Sequence, residues 1–151
     1  MTFQEAVNLT SNLSHHYRPG LQALSDNDAA RIRYTKPQQL SGSVNLDSAL
    51  KESYPNEPRW DYGIGVRRSN SEVAVWVEVH PASSHSITGM LGKLEWLKSW
   101  LSNHAPALNK ITQGDYYWVS TDGRIAITPN SPQAKKLAQA GLRGPMRVLR
   151  L

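Results

Sequence analysis

Seven residues, Val73-Ala74-Val75-Trp76-Val77-Glu78-Val79, constrain this chain more than any others. β-branched residues dominate the run and only Glu78 interrupts it, which is the pattern of a central strand buried on both faces. Trp60–Val66 (WDYGIGV) reads as a partner strand, and the polar Arg67–Ser71 between them as a hairpin connection. Pro81-Ala82-Ser83-Ser84 ends the second strand. A helix is expected from about Ser86 to Asn103, where Ile87, Met90, Leu91, Leu94, Leu97 and Leu101 recur at spacings of three and four. Strand, hairpin and amphipathic helix in succession predict an α/β domain with a mixed central sheet.

The flanks are less explicit. Thr2–Tyr17 reads as a modestly amphipathic helix closed by Pro19-Gly20, followed by irregular or edge structure to about Gly42 with a short strand-like Ile32–Thr35. Asn45 or Asp47 is expected to cap a short helix through Ser53, stopped by Tyr54-Pro55-Asn56 and Pro58. Beyond Pro106, two short strands, Tyr116–Thr121 and Arg124–Thr128, flank the turn dipeptide Asp122-Gly123. A last helix, Gln133–Ala140, starts behind Pro132 and stops at Gly141. Gly141–Pro145 reads as a loop. The 151 residues suit one domain, 1–151, without internal repeats.

Absent residue types narrow the chemistry. With no cysteine, disulfides, thiolate zinc sites and a cysteine nucleophile are excluded, so a metal would rest on Asp, Glu or His. His15 and His16 are adjacent and would diverge on a helix, which makes them a poor chelating pair. No Walker loop, dinucleotide fingerprint or HExxH motif occurs. There is no apolar run of membrane-spanning length, and the N-terminal residues lack a signal-peptide pattern, so a soluble, cytoplasmic chain is expected. The net charge of +5 is unevenly placed: residues 131–151 hold Lys135, Lys136, Arg143, Arg147 and Arg150 and no acid, leaving residues 1–130 neutral on balance. Such a segment is either a solvated terminus or a contact for DNA or RNA, where phosphate neutralisation drives affinity.

Glu78 is the anomaly in an otherwise apolar strand. By strand alternation it shares a face with Ala74, Trp76 and His80, while Asp61 on the partner strand shares a face with Gly63 and Gly65. If those faces coincide, Asp61 and Glu78 meet beside two glycines that leave room for an ion or a phosphate. A lone buried carboxylate costs several kcal/mol unless paired or bound to a cation. Two carboxylates with carbonyls and waters suit Mg²⁺ or Mn²⁺, and phosphodiester hydrolysis is the natural reaction. The alternative is structural: Asp61 caps the strand entry or pairs with Arg59, and Glu78 pairs with an Arg or Lys across the sheet.

Asp61 at the start of one strand, then 17 positions on Glu78-Val79-His80 at the end of the next, then a long helix, resembles the core of the PD-(D/E)XK nuclease superfamily. The resemblance spans about residues 43–128. It implies a restriction-endonuclease-like αβββαβ fold, Mg²⁺ or Mn²⁺ held by Asp61 and Glu78, and cleavage of DNA or RNA. His80 stands where that family usually has its lysine, which orients the attacking water and offsets charge. Lys93 on the following helix is the candidate replacement, since family members also supply this lysine from a neighbouring element. His80 is then a candidate nitrogen ligand or base, or a structural residue. The strings RWDYGIGV, WVEVHPA and KLEWLKSWL also resemble small bacterial proteins without an established activity.

Two further sets of residues carry weaker signals. Trp96 and Trp100, four apart near Lys93, are either core residues or platforms for bases. Asp47 is either a third carboxylate or a favourable charge in a first helical turn. The competing readings are a metal-dependent nuclease, a non-catalytic binding module of the same fold, and a small interaction protein using its Trp-rich helix as an interface.

Overall fold

A computed structural model describes residues 1–82, 86–121 and 127–151. Its helices are α1 (Phe3–Asn8), α2 (Asp26–Ala29), α3 (Leu46–Leu50), α4 (Ile87–His104), α5 (Pro106–Lys110) and α6 (Pro132–Ala140). Its strands are β1 (Ile32–Arg33), β2 (Leu40–Asn45), β3 (Tyr62–Arg68), β4 (Ser71–Val79), β5 (Thr112–Val119), β6 (Leu142–Met146) and β7 (Leu149–Arg150). The chain is a single α/β domain. A five-stranded mixed sheet runs β2-β3-β4-β5-β6, and β1 and β7 form a separate two-stranded parallel sheet.

The apolar run is β4, the middle strand of five, which explains why both of its faces are apolar. It is antiparallel to β3 and parallel to β5, the parallel step being made by the long crossover α4. Ala74 and Trp76 face a core built with Met90, Leu94, Leu97 and Leu101 of α4. Val73, Val75 and Val77 face a second core with Ile64, Val66, Ile32 and Leu149. The α4 stripe read from the sequence is therefore the stripe that is buried.

Gly63 and Gly65 admit aromatic rings. A Cβ on Gly63 would lie 2.7 Å from Cζ3 of Trp76, and one on Gly65 would lie 2.4 Å from Cγ of Phe3 and 2.3 Å from Oγ of Ser41. The expected space for an ion or phosphate beside these glycines is thus filled by the core. Gly65→Ala should lower stability by about 1–3 kcal/mol, because the Phe3 ring root cannot swing away as a flexible side-chain end would. An unchanged urea midpoint would show that Phe3 repacks freely.

Several boundaries differ from the sequence expectations. Instead of reaching Tyr17, the first helix stops at Asn8, where buried Thr10 turns its hydroxyl onto Ala6 O at 3.0 Å, and a 3-10 turn follows at Ser11–Leu13. The hairpin connection shrinks from five residues to Ser69-Asn70, since Arg67 pairs with Glu72 and Arg68 with Ser71. Ser69 takes the left-handed turn conformation at φ 53°. Asn45, rather than Asp47, caps α3 by accepting Ser48 N–H at 3.0 Å.

The segment through Gly42 contains a true edge strand, β2. Its Leu-Ser-Gly-Ser-Val-Asn sequence hides the strand because the buried hydroxyls are used locally: Ser43 Oγ accepts Ala23 N–H at 3.1 Å. Gly42, at φ 145°, lies flat under Tyr17, whose ring a Cβ would meet at 2.2 Å. Gly141–Pro145, expected as a loop, enters β6, parallel to β5 at the opposite sheet edge, where a proline is tolerated. Gly144 is needed there, since a Cβ would strike Trp118 O at 2.4 Å. The expected strand Arg124–Thr128 and its Asp122-Gly123 turn lie mostly on residues outside the described ones; Ile127 and Thr128, which are described, are not in a strand. The last helix forms as expected, with Ser131 capping Ala134 N–H at 3.1 Å and Gly141 left-handed at φ 85°.

Candidate active site

The β3–β4 backbone ladder ends at Tyr62 and Val77, and side chains take over from there. Asp61 donates its amide N–H to Glu78 Oε1 at 3.0 Å, and Val79 donates its own to Asp61 Oδ2 at 2.9 Å. Each carboxylate thus accepts an amide from the other strand, which brings Asp61 and Glu78 side by side at one end of the sheet. From the second turn of α4, Lys93 Nζ donates to Glu78 Oε2 at 2.5 Å. Glu78 is 1% exposed and the Lys93 side chain 26%, so the ammonium joins a buried carboxylate to solvent. Among the described residues, Asp61 Oδ1 makes no hydrogen bond.

Burial is the main reason that both carboxyls hold their protons more tightly than usual. It pushes Glu78 up to about 8, with the Asp61 charge adding to it and Lys93 and the Asp61 amide opposing. Asp61 is raised too, by burial first, against the Val79 amide and the Lys93 charge; Asp47 and Asp28 contribute further repulsion. Two carboxyls whose proton affinity is raised by burial, with one ammonium beside them, make a functional-site candidate.

The carboxylate oxygens of Asp61 and Glu78 are of the donor type that hard divalent ions take. Asp61 Oδ1 is the oxygen without a hydrogen bond among the described residues, whereas Glu78 Oε1 takes the Asp61 amide and Oε2 takes Lys93, so a cation at Glu78 would have to displace Lys93. Among the described residues no group of three or more His, Cys, Asp or Glu side chains is placed to hold a metal, so water would complete the coordination. Mg²⁺ commonly keeps several waters.

The remaining sequence candidates divide. His80 lies at the strand end, where its N–H donates to Val119 O at 3.0 Å, its carbonyl accepts Trp118 Nε1–H at 2.9 Å and its ring sits 6.5 Å from that of Trp118. It is Lys93, and not His80, that meets Glu78. Arg59 does not pair with Asp61; it binds Asp47 at 3.1 Å and Tyr54 O at 2.6 Å. Asp47 approaches Asp61 through its amide, 3.4 Å from Asp61 O, while its carboxylate is held by Arg59. Trp100 is buried in the core and Trp96 stacks on it at 6.1 Å and 11°, with Tyr54 edge-on to Trp96 at 5.9 Å. These indoles stack on each other, and the face expected as an interface or base platform is largely core.

The five basic residues of 131–151 do not act as one group. Lys135 and Lys136 are exposed on α6, on the α4 side of the sheet. Arg143 turns to buried Asp115 at 3.4 Å and to the Tyr117 hydroxyl at 2.7 Å. Arg147 and Arg150 lie with β7 on the other side, beside Arg31 and Arg33, which belong to no basic run in the sequence. The strand-like Ile32–Thr35 was the available signal for that neighbourhood.

No family model, curated protein or solved structure matches the chain. Among the described residues no helix is long and apolar enough to cross a membrane.

Proposed function

We propose that the chain is a divalent-metal-dependent nuclease of the PD-(D/E)XK kind, cleaving phosphodiester bonds in DNA or RNA. The observation that carries the reading is the convergence of Asp61, Glu78 and Lys93 at one sheet end. The element order supports it as well: α1, the three antiparallel strands β2, β3 and β4, the crossover α4 and the parallel β5 come in the αβββαβ order that the resemblance implies, with α2 and β1 inserted before β2, α3 between β2 and β3, and α5 between α4 and β5.

Asp61 and Glu78 would hold Mg²⁺ or Mn²⁺. The ion, when bound, supplies Lewis acidity and a water of lowered pKa. The Lys93 ammonium, paired with Glu78, would offset the negative charge of the carboxylates. Its position on α4 takes the place of a strand lysine at 80. The amides of Asp61 and Val79 fix the carboxylate orientations, so that displacing Lys93 from Glu78 Oε2 is the main rearrangement that metal binding would need.

A second reading has its own observation. Both Glu78 oxygens already accept hydrogen bonds, which makes the cluster self-sufficient as a structural junction in a non-catalytic binding module. Incubating the protein with single- and double-stranded DNA and RNA under Mg²⁺, Mn²⁺ or EDTA separates the two. Cleavage in the metal lanes alone is the expected result. No cleavage of any substrate, together with no heat of Mn²⁺ binding in calorimetry, would leave the binding module.

A further inference from the structure

The basic C-terminus is tied down as a strand. β7 runs parallel to β1, with Ile32 opposite Leu149 and Arg33 opposite Arg150, and Leu149 and Leu151 donate N–H to Arg31 O and Arg33 O at 2.9 and 2.8 Å. Ile32 and Leu149 are buried against the main sheet, so alternation turns Arg33 and Arg150 outward together. Two hollows lie along this ribbon. One, of about 560 Å³, is walled by Asn27, Asp28, Arg31, Thr121 and Arg147. The other, of about 170 Å³, is walled by Arg33, Tyr34, Thr35 and Arg150.

These arginines differ in partnering from four others; Arg18, whose side chain bonds only the carbonyls of His15 and Tyr17 among the described residues, resembles them but lies apart from the ribbon's hollows. Arg59, Arg67, Arg68 and Arg143 each contact a carboxylate. Among the described residues, Arg31, Arg33, Arg147 and Arg150 form no ion pair; Arg31 reaches Ser120 O at 3.1 Å with its Nε buried and unsatisfied, and Arg33 reaches Ala30 O. Asp28, the acid on the wall, accepts the Tyr62 hydroxyl at 2.6 Å. Tyr34 presents its ring to solvent at 42% exposure.

We propose that the β1–β7 ribbon is a track for a single-stranded nucleic acid, with backbone phosphates on Arg33, Arg147 and Arg150 and a base stacked on Tyr34, passing Arg31 toward Asp61. The direction follows from two contacts. Arg31 bonds Ser120, next to Val119, which pairs with Val79, and Asp28 bonds Tyr62, so the ribbon reaches the same sheet end as Asp61 but on the opposite face, and the strand would round that end to meet the carboxylates on the α4 side. Unpaired arginines beside an accessible ring match a flexible strand, which offers phosphates and unstacked bases at once. The assignment rests on the nucleic-acid reading above, though not on cleavage.

Binding of a fluorescent single-stranded oligonucleotide in EDTA tests it. The variant carrying Arg33→Gln, Arg147→Gln and Arg150→Gln should bind tenfold or more weakly. It should also lose about 2 from the slope of log affinity against log salt, at roughly 0.7 per phosphate contact. Lys135→Gln with Lys136→Gln, on the opposite side, should change affinity less than twofold. Tyr34→Ala should weaken single-strand binding about five- to tenfold and duplex binding less than twofold, as stacking on one ring predicts. An equal loss in the α6 pair, an equal effect of Tyr34→Ala on duplex, or no binding by the wild type would overturn the track. The expected binding pattern without Mn²⁺-dependent cleavage would keep the track and remove the nuclease reading. Cleavage unimpaired in the triple variant would do the reverse.

Discussion

Glu78→Gln should reduce metal-dependent cleavage by a factor of a thousand or more and leave the metal-free fold intact at pH 7. The amide preserves the shape and the acceptor for Asp61 N–H but puts its NH2 in place of Oε2, giving up the hydrogen bond from Lys93, and it removes half the ligand charge, whose stabilising effect is the main service of such a site. The small stability change follows from the carboxyl itself. With its proton held up to about 8, Glu78 is mostly neutral at pH 7 without metal, and glutamine imitates that neutral form. Urea unfolding in EDTA should place the variant within about 1 kcal/mol of wild type, in the range of an ordinary hydrogen-bond exchange. A loss of 3 kcal/mol or more would mean that Glu78 is an ionised structural partner. The same proton governs metal binding: Mn²⁺ must displace it, so affinity should climb about tenfold per pH unit below pH 8 and level off above.

Lys93→Met should destabilise the metal-free protein in a pH-dependent way. The folded-state value of Glu78 is raised above its usual 4.5, so this group contributes stability that is complete below about 4.5 and is lost as pH rises toward about 8. The wild-type slope in that window is on the order of 1.4 kcal/mol per pH unit for one proton. At pH 6 Glu78 is protonated, and removing Lys93 costs one hydrogen bond, about 1 kcal/mol. At pH 9 the wild type has an ion pair to lose, and since the variant would keep the Glu78 proton instead, one pH unit above about 8 adds at most about 1.4 kcal/mol to the cost. Paired urea titrations at the two pH values check this. Equal costs at both would show that Lys93 does not serve the Glu78 charge. Cleavage should fall in parallel with Glu78→Gln if the same ammonium offsets charge during the reaction.

The candidate site was more legible than the fold around it. Glu78 announced itself as the single charge in an apolar strand, and parity placed it with Trp76 on the α4 side, where it is found. Asp61 came next because antiparallel strands joined by a tight turn bring fixed positions together. Lys93 follows Met90 by three positions on α4, so it borders the buried stripe and reaches over its edge toward Glu78. The glycines were misread. A strand glycine signals only that something comes close, and here it is Trp76 and Phe3, one of them 62 residues away in the chain at Gly65.

The sequence by itself determined the strand pair and the amphipathic helix after it, because each rests on a local period of side chains, whereas the face shared by Asp61 and Glu78 waited on the register that the two-residue turn sets. Only the tertiary structure decided the two edge strands, the β1–β7 ribbon and which basic residues are neutralised. β2 and β6 are held by backbone hydrogen bonds to strands already formed, so Ser, Gly and Pro are tolerated within them and no apolar period marks them. Arg33 meets Arg150, and Asp115 takes Arg143 while Arg147 stays unpaired, through contacts between distant parts of the chain. Such pairings are set by the packing of elements against a common core, a property that no window of the sequence contains.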